Sequence, residues 1–221
     1  MQIAIDGPAG AGKSTISKFV ATELGYLYID TGAMYRAIGY KAINSGVDLN
    51  DEARVSEIAK STKLELKITE SGQGVFVDDE NVSDKIRTAE VSMAASRVSA
   101  IPMVREILVD LQREIAGSNN VVMDGRDIGT VVLPDAEVKI FLTATAEDRA
   151  MRRYIEMKEK GIDTSYQAVL EDMQKRDYND THRAASPLRA AEDACVIDTS
   201  GKTLGESVQL LLDYVKEHIA R

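Results

Sequence analysis

The chain has 221 residues, 44% of them hydrophobic and 29% charged, which suits one domain with insertions or two small ones in a soluble globular protein. A formal net charge of -9 argues against a general nucleic-acid binder, which would carry a basic face. No apolar run approaches the length of a membrane span and no N-terminal signal pattern stands out, while the single cysteine, Cys195, excludes an intrachain disulfide, so a reducing cytoplasm is the expected setting.

The first predicted element is a short apolar strand over 3–5. It runs into Gly-Pro-Ala-Gly-Ala-Gly-Lys-Ser at Gly7 to Ser14, and then into a helix with Ile16, Phe19, Val20 and Leu24 on one face. Strand, glycine loop and helix in this order form a phosphate-binding P-loop. Backbone N–H groups of such a loop converge on phosphate, and the helix N-terminus adds positive partial charge. Lys13 is the candidate for the β and γ phosphates and Ser14 for Mg²⁺.

A second strand is predicted over 26–29, followed by Asp30-Thr31-Gly32-Ala33-Met34-Tyr35-Arg36. Asp30 or Thr31 caps the next helix, and Arg36 lies one turn inside it. This segment reads either as a plain cap with a surface arginine or as a ligand contact at the carboxyl edge of the sheet. Alternation over 63–68 and again at Val75 and Val77, around Ser71-Gly72-Gln73-Gly74, predicts a hairpin, and residues 62–98 read as a small antiparallel insert. Val104, Ile107, Leu108, Leu111 and Ile115 mark a long helix between Pro102 and Gly117.

A strand over 121–123 leads to Asp124-Gly125-Arg126-Asp127-Ile128-Gly129-Thr130. Asp124 stands where a Walker-B acid would address Mg²⁺ through water, although Asp-Gly is also a common turn. Arg126 and Asp127 offer a phosphate fork beside a hydrogen-bond acceptor. After a strand over 138–142, Thr145 and Asp148 open a helix holding Arg149, Arg152 and Arg153, and Gly161 closes it. Gly161-Ile162-Asp163-Thr164 is the expected flexible turn. Arg176, Asp180 and Arg183 share one face if their helix runs that far, as a surface salt-bridge ladder or as a site. His182 shows no metal or catalytic partner and is expected exposed. Cys195 lies in an apolar strand over 195–197 and reads as core. Thr203 and Glu206 cap the last helix, whose stripe is Val208, Leu211, Leu212, Val215 and Ile219.

Strands alternating with helices imply an α/β fold with a central parallel five-stranded sheet covered on both faces. Taken together, the P-loop, Asp-Thr-Gly-Ala-Met-Tyr-Arg, Asp-Gly-Arg-Asp-Ile-Gly-Thr and Arg-Asp-Tyr-Asn-Asp-Thr-His-Arg resemble the bacterial cytidylate kinases, from residue 2 to the last helix. The resemblance implies a P-loop NTPase core (about 1–61, 99–149 and 181–221), an acceptor-binding insert (about 62–98) and a helical lid (about 150–180). It implies Mg²⁺-dependent phosphoryl transfer from ATP to CMP or dCMP. ATP would lie on Gly7, Pro8, Ala9, Gly10, Ala11, Gly12, Lys13, Ser14 and Thr15, with Arg149, Arg152 and Arg153 as the lid arginines. Thr31, Tyr35 and Arg36 match the segment bordering the acceptor, Ser96, Arg105 and Asp127 the cytosine contacts, Arg126 and Arg176 the acceptor-phosphate ligands, and Asp180 and Arg183 the sugar contacts. The family often has Ser where this chain has Thr31, and the hydroxyl is kept. The chain is expected to act as a monomer on small molecules, with neither nucleic acid nor membrane as partner.

Other readings make different demands. A GTPase switch needs an N-K-x-D motif, and none is found; Asp198-Thr199-Ser200-Gly201 fits D-x-x-G only after the last strand. A nucleotide sensor would not turn over CMP. A kinase acting on UMP or another monophosphate is the nearest rival, and the arginine-rich acceptor side favours a phosphorylated acceptor over an alcohol.

Overall fold

The structure, a computed structural model, describes residues 1–69 and 72–219. The chain forms two compact units, Met1–Ile29 with Asn119–Arg221, and Asp30–Ser118.

The first unit is built on the five-stranded parallel sheet, and all five expected strands are present. β1 (Gln2–Asp6) lies at its centre, between β6 (Val121–Gly125) and β7 (Val138–Thr143); β2 (Leu27–Asp30) flanks β6 and β8 (Cys195–Asp198) flanks β7. The connection leaving β1 runs one way across the sheet and the one leaving β7 runs the other. Such a reversal is where open α/β sheets bind ligands, at the carboxyl ends of the strands. α1 (Lys13–Leu24) and α8 (Leu204–Ile219) bury their apolar stripes in one cluster, where Ile16 and Val20 meet Ile3, Ile140, Leu211 and Val215. Cys195 packs partly buried against this cluster, as its apolar neighbours imply. α6 (Ala146–Glu159) and α7 (Tyr166–His182) pair through a small cluster of Ala150, Val169 and Met173.

The second unit contains α2 (Thr31–Asn44), α3 (Glu52–Ser61), the antiparallel strands β3 (Leu64–Thr69), β4 (Gly72–Val77) and β5 (Glu80–Asn81), α4 (Ala89–Val98) and α5 (Pro102–Gly117). The 62–98 segment therefore sits in the middle of this unit. Of the expected 71–74 turn, Ser71 lies outside the described residues, while Gly72–Gly74 belong to β4, with Gly74 opposite Lys67. Side-chain caps from Asp30, Asp51 and Thr88 start α2, α3 and α4, and Pro102 opens α5. No helix among the described residues is long and apolar enough to cross a membrane.

Candidate active site

β1 ends at Asp6 and the chain turns at once through the glycine loop into α1. Gly7 leaves no space for a side chain, because a Cβ there would fall 1.9 Å from the Leu142 carbonyl oxygen of β7. α1 then starts without a side-chain cap: its N-cap residue, Gly12, is left-handed (φ 87°) and has no side chain to offer, and no acidic residue stands in the first turn. An N-terminus of this kind presents donors and positive partial charge to an anion. Lys13 is 6% exposed and donates its Nζ to the Pro8 carbonyl at 2.7 Å. Burial, followed by the charge of Arg126, pushes its ammonium down to about 7, against the pull of Asp124, Asp6 and Asp180. A cation held at such cost is stabilised by an incoming phosphate.

Ser14 and Asp124 meet beside this loop. The Ser14 hydroxyl donates to Asp124 Oδ2 at 2.9 Å and the Tyr28 hydroxyl to Oδ1 at 2.9 Å. Two hard oxygen ligands side by side fit Mg²⁺, which takes its remaining ligands from water and substrate phosphates. Among the described residues no group of three or more His, Cys, Asp or Glu could hold a metal ion.

The loop after β6 meets the end of α7 in a cluster of charges. Arg126 Nε donates to Asp180 Oδ2 at 2.7 Å, and Arg183 Nη2 lies 3.7 Å from Asp127 Oδ1. Burial raises the Asp180 carboxyl, but Arg126, then Arg176 and Arg183, outweigh it and hold the group below its usual range. α7 stops at His182, so Arg176 and Asp180 are helical while Arg183 caps the end and donates from Nε to the Ser186 carbonyl at 2.7 Å. Arg126 is thus held by Asp180, Arg183 stands near Asp127, and Arg176 adds its charge to the same cluster. His182 is exposed and stacks on Tyr178.

Arg149, Arg152 and Arg153, expected as lid arginines, occupy three different positions. Arg149 is buried, donating to the Ala9 carbonyl of the P-loop and the Ala144 carbonyl, each at 2.9 Å, and pairing with Asp177 at 2.6 Å. Arg152 donates to the Thr199 carbonyl at 2.6 Å, and Arg153 pairs with Glu156 at 2.7 Å on the exposed face of α6.

In the second unit, Asp30 caps α2 through the Ala33 N–H at 2.8 Å and pairs with Arg36 at 2.9 Å. Thr31 is buried in the first turn of α2, one turn before Tyr35. Arg105 stacks over the Tyr35 ring at 5.7 Å and reaches the Ser99 carbonyl at 3.3 Å; Ser96 lies half-buried on α4, its carbonyl accepting from Ser99 Oγ.

Sequence reasoning missed Asp6, Tyr28 and Asp177. A charged residue closing an apolar strand immediately before Gly7 was the available signal for Asp6. Asp177 stood inside a quoted segment, and its partner, Arg149, is 28 residues away.

A P-loop with an uncapped helix and a buried lysine, beside a cluster of arginines, has the parts that a P-loop kinase with a phosphorylated acceptor requires. The model of the cytidylate kinase family matches residues 3–217. A cytidylate kinase of Caldicellulosiruptor bescii is 54% identical over 213 residues, covering 96% of this chain and 94% of the relative. One of Caldanaerobacter subterraneus subsp. tengcongensis is 52% identical over 218 residues, covering 99% and 96%. A solved structure of an uncharacterized protein from Eubacterium ventriosum superposes with a TM-score of 0.53 at 13% identity over 98% of both chains, a likeness of fold alone. The chain belongs to the cytidylate kinase family of nucleoside monophosphate kinases.

Proposed function

We propose that this enzyme transfers the γ-phosphoryl group of ATP to the phosphate of CMP or dCMP, giving ADP and CDP or dCDP. The observation that carries this reading is the guanidinium cluster of Arg126, Arg176 and Arg183, interleaved with Asp127 and Asp180 beside the P-loop lysine. Family membership over nearly the whole chain supports the same acceptor.

The acceptor phosphate is its own nucleophile. Its second pKa is ~6, so at neutral pH it is mostly a dianion and needs no general base. The protein's work is to hold two mutually repelling anions in line and neutralise charge as it shifts. Lys13 and the loop N–H groups take the ATP phosphates, and Arg126 and Arg176 take the acceptor phosphate. Ser14 and, through water, Asp124 would hold Mg²⁺, which when bound neutralises charge on the phosphate oxygens. Arg152 and Arg153 are the reserve on α6; Arg152 reaches the transferred group only by leaving the Thr199 carbonyl. Closure of the lid over ATP would exclude water, the competing nucleophile. Arg149, bonded to the Ala9 carbonyl, sets the shape of the ATP loop.

Asp127 carries the base choice. Ionised, it only accepts hydrogen bonds, so it matches the exocyclic amine of cytosine and meets the uracil carbonyl lone pair to lone pair. The family resemblance further assigns Ser96 and Arg105 to the base, Thr31, Tyr35 and Arg36 to the border of the nucleotide, and Asp180 and Arg183 to the sugar. The enzyme works as a monomer in the cytoplasm on this reading. The test is a substrate panel with purified protein, Mg-ATP and each nucleoside monophosphate in turn, following ADP release. CMP and dCMP should be consumed far faster than UMP, AMP and GMP. Equal turnover of CMP and UMP overturns the assignment.

A further inference from the structure

The activity proposed above makes no use of Asp6. It is the last residue of β1, 3% exposed, opposite Gly125 of β6 and next to the glycine that opens the P-loop. Its two carboxylate oxygens accept from two successive backbone N–H groups: Oδ1 from Ile128 at 2.7 Å and Oδ2 from Gly129 at 2.8 Å. These N–H groups open the single π-helical turn Ile128–Val132, which no side chain of its own N-cap residue, Asp127, bonds. Helical turns leave their first donors without internal partners, and here a strand 122 residues away supplies the acceptors.

We propose that Asp6 is a positioning residue for the acceptor nucleotide: by clamping Ile128 and Gly129 from β1, it fixes the loop that presents Arg126 and Asp127 and ties that loop to the first residue of the P-loop. The inference rests on the reading that Arg126 and Asp127 address the acceptor.

Side-chain chemistry explains why the residue is Asp. Two N–H groups side by side need two acceptors, and at this length only an ionised carboxyl supplies them. Asn, nearly the same in shape, would set its own N–H against one of the two donors. The charge is kept although the site disfavours it. Burial raises the Asp6 carboxyl to about 6; the two N–H bonds and Lys13 pull it down, and Asp127 pushes it up. At neutral pH it is therefore still mostly ionised. A residue retained against burial for the sake of two backbone bonds is spending stability on the shape of one loop. A displacement of about 1 Å in a positioning element costs on the order of 10²-fold in rate, so a short clamp of this kind has room to matter.

Asp6→Asn is the test, read by steady-state kinetics with CMP, UMP and ATP and by the amide resonances of Ile128 and Gly129. The KM for CMP should rise by about 10-fold or more and the CMP-over-UMP ratio of kcat/KM should fall, while the KM for ATP stays within about 3-fold. The two amide resonances should move. Asp6→Glu keeps both acceptors one methylene further out; it should shift the same quantities less, and it serves if the Asn variant does not fold. Parallel losses for ATP and CMP would mean that Asp6 acts through Lys13 or through general folding, and would overturn the proposal, as would unchanged kinetics. Asp127→Ala runs alongside. If it leaves the CMP-over-UMP ratio intact, the base reading fails, and the clamp is judged on the CMP KM and the amide shifts alone.

Discussion

On the proposed reading the P-loop and the arginine cluster each hold a phosphate, but they are made of different material. At the P-loop the positive field comes from backbone: an uncapped α1, a loop with no side chain at Gly7, and one lysine resting on the Pro8 carbonyl. At the acceptor side it comes from side chains, with Arg126 held by Asp180 and Arg183 near Asp127. Backbone recognises what every nucleoside triphosphate shares. Side chains can also reject, because a carboxylate that loses its donor is left unsatisfied.

The contrast is open to direct attack. Lys13→Met should give the largest effect, a loss in kcat of about 10³-fold, with CMP binding retained by calorimetry. Because the buried ammonium is destabilised, this variant should melt no lower than the wild type. Arg126→Met should lower kcat/KM for CMP by about 10²-fold and leave the KM for ATP within a few-fold. If both substrates suffered alike, the division between a backbone site and a side-chain site would be lost. Asp127→Ala sharpens it further, since it should impair CMP selectively and narrow the gap to UMP; equal losses on both would count against base reading.

The smallest effect on turnover belongs to a stability measurement. Asp6 has its carboxyl raised from 3.8 to about 6. A group raised on folding adds stability that is full below the lower value and is lost as pH rises through the higher one. Relative to Asp6→Asn, which does not titrate, the ligand-free wild type should therefore lose about 2 kcal/mol between pH 4 and 7 in denaturant unfolding. A flat difference would remove the buried charge from the account.

Much of this was legible in the chain. Apolar runs located all five parallel strands, and the spacing from Gly7 to Ser14 fixed the loop, because both signals are local. The two-residue β5 left no periodicity to read. The end of α7 was undecided because Arg176, Asp180 and Arg183 keep helical spacing, whereas the backbone leaves the helix at Arg183 and passes through a positive φ at Ser186 before Pro187. The bonds of Asp6 and Asp177 were hidden for a different reason. Their partners are distant in sequence, so only the folded sheet and the paired helices bring the acceptors to the donors.

Gly12 carries a consequence for engineering. A serine or aspartate can cap a helix only from an extended backbone, and Gly12 is left-handed, a conformation such residues adopt at a cost. The usual route to a more heat-resistant helix is therefore closed at α1. Directed evolution toward thermostability should collect its gains elsewhere and leave this terminus as it is, since whatever satisfied it permanently would compete with the nucleotide.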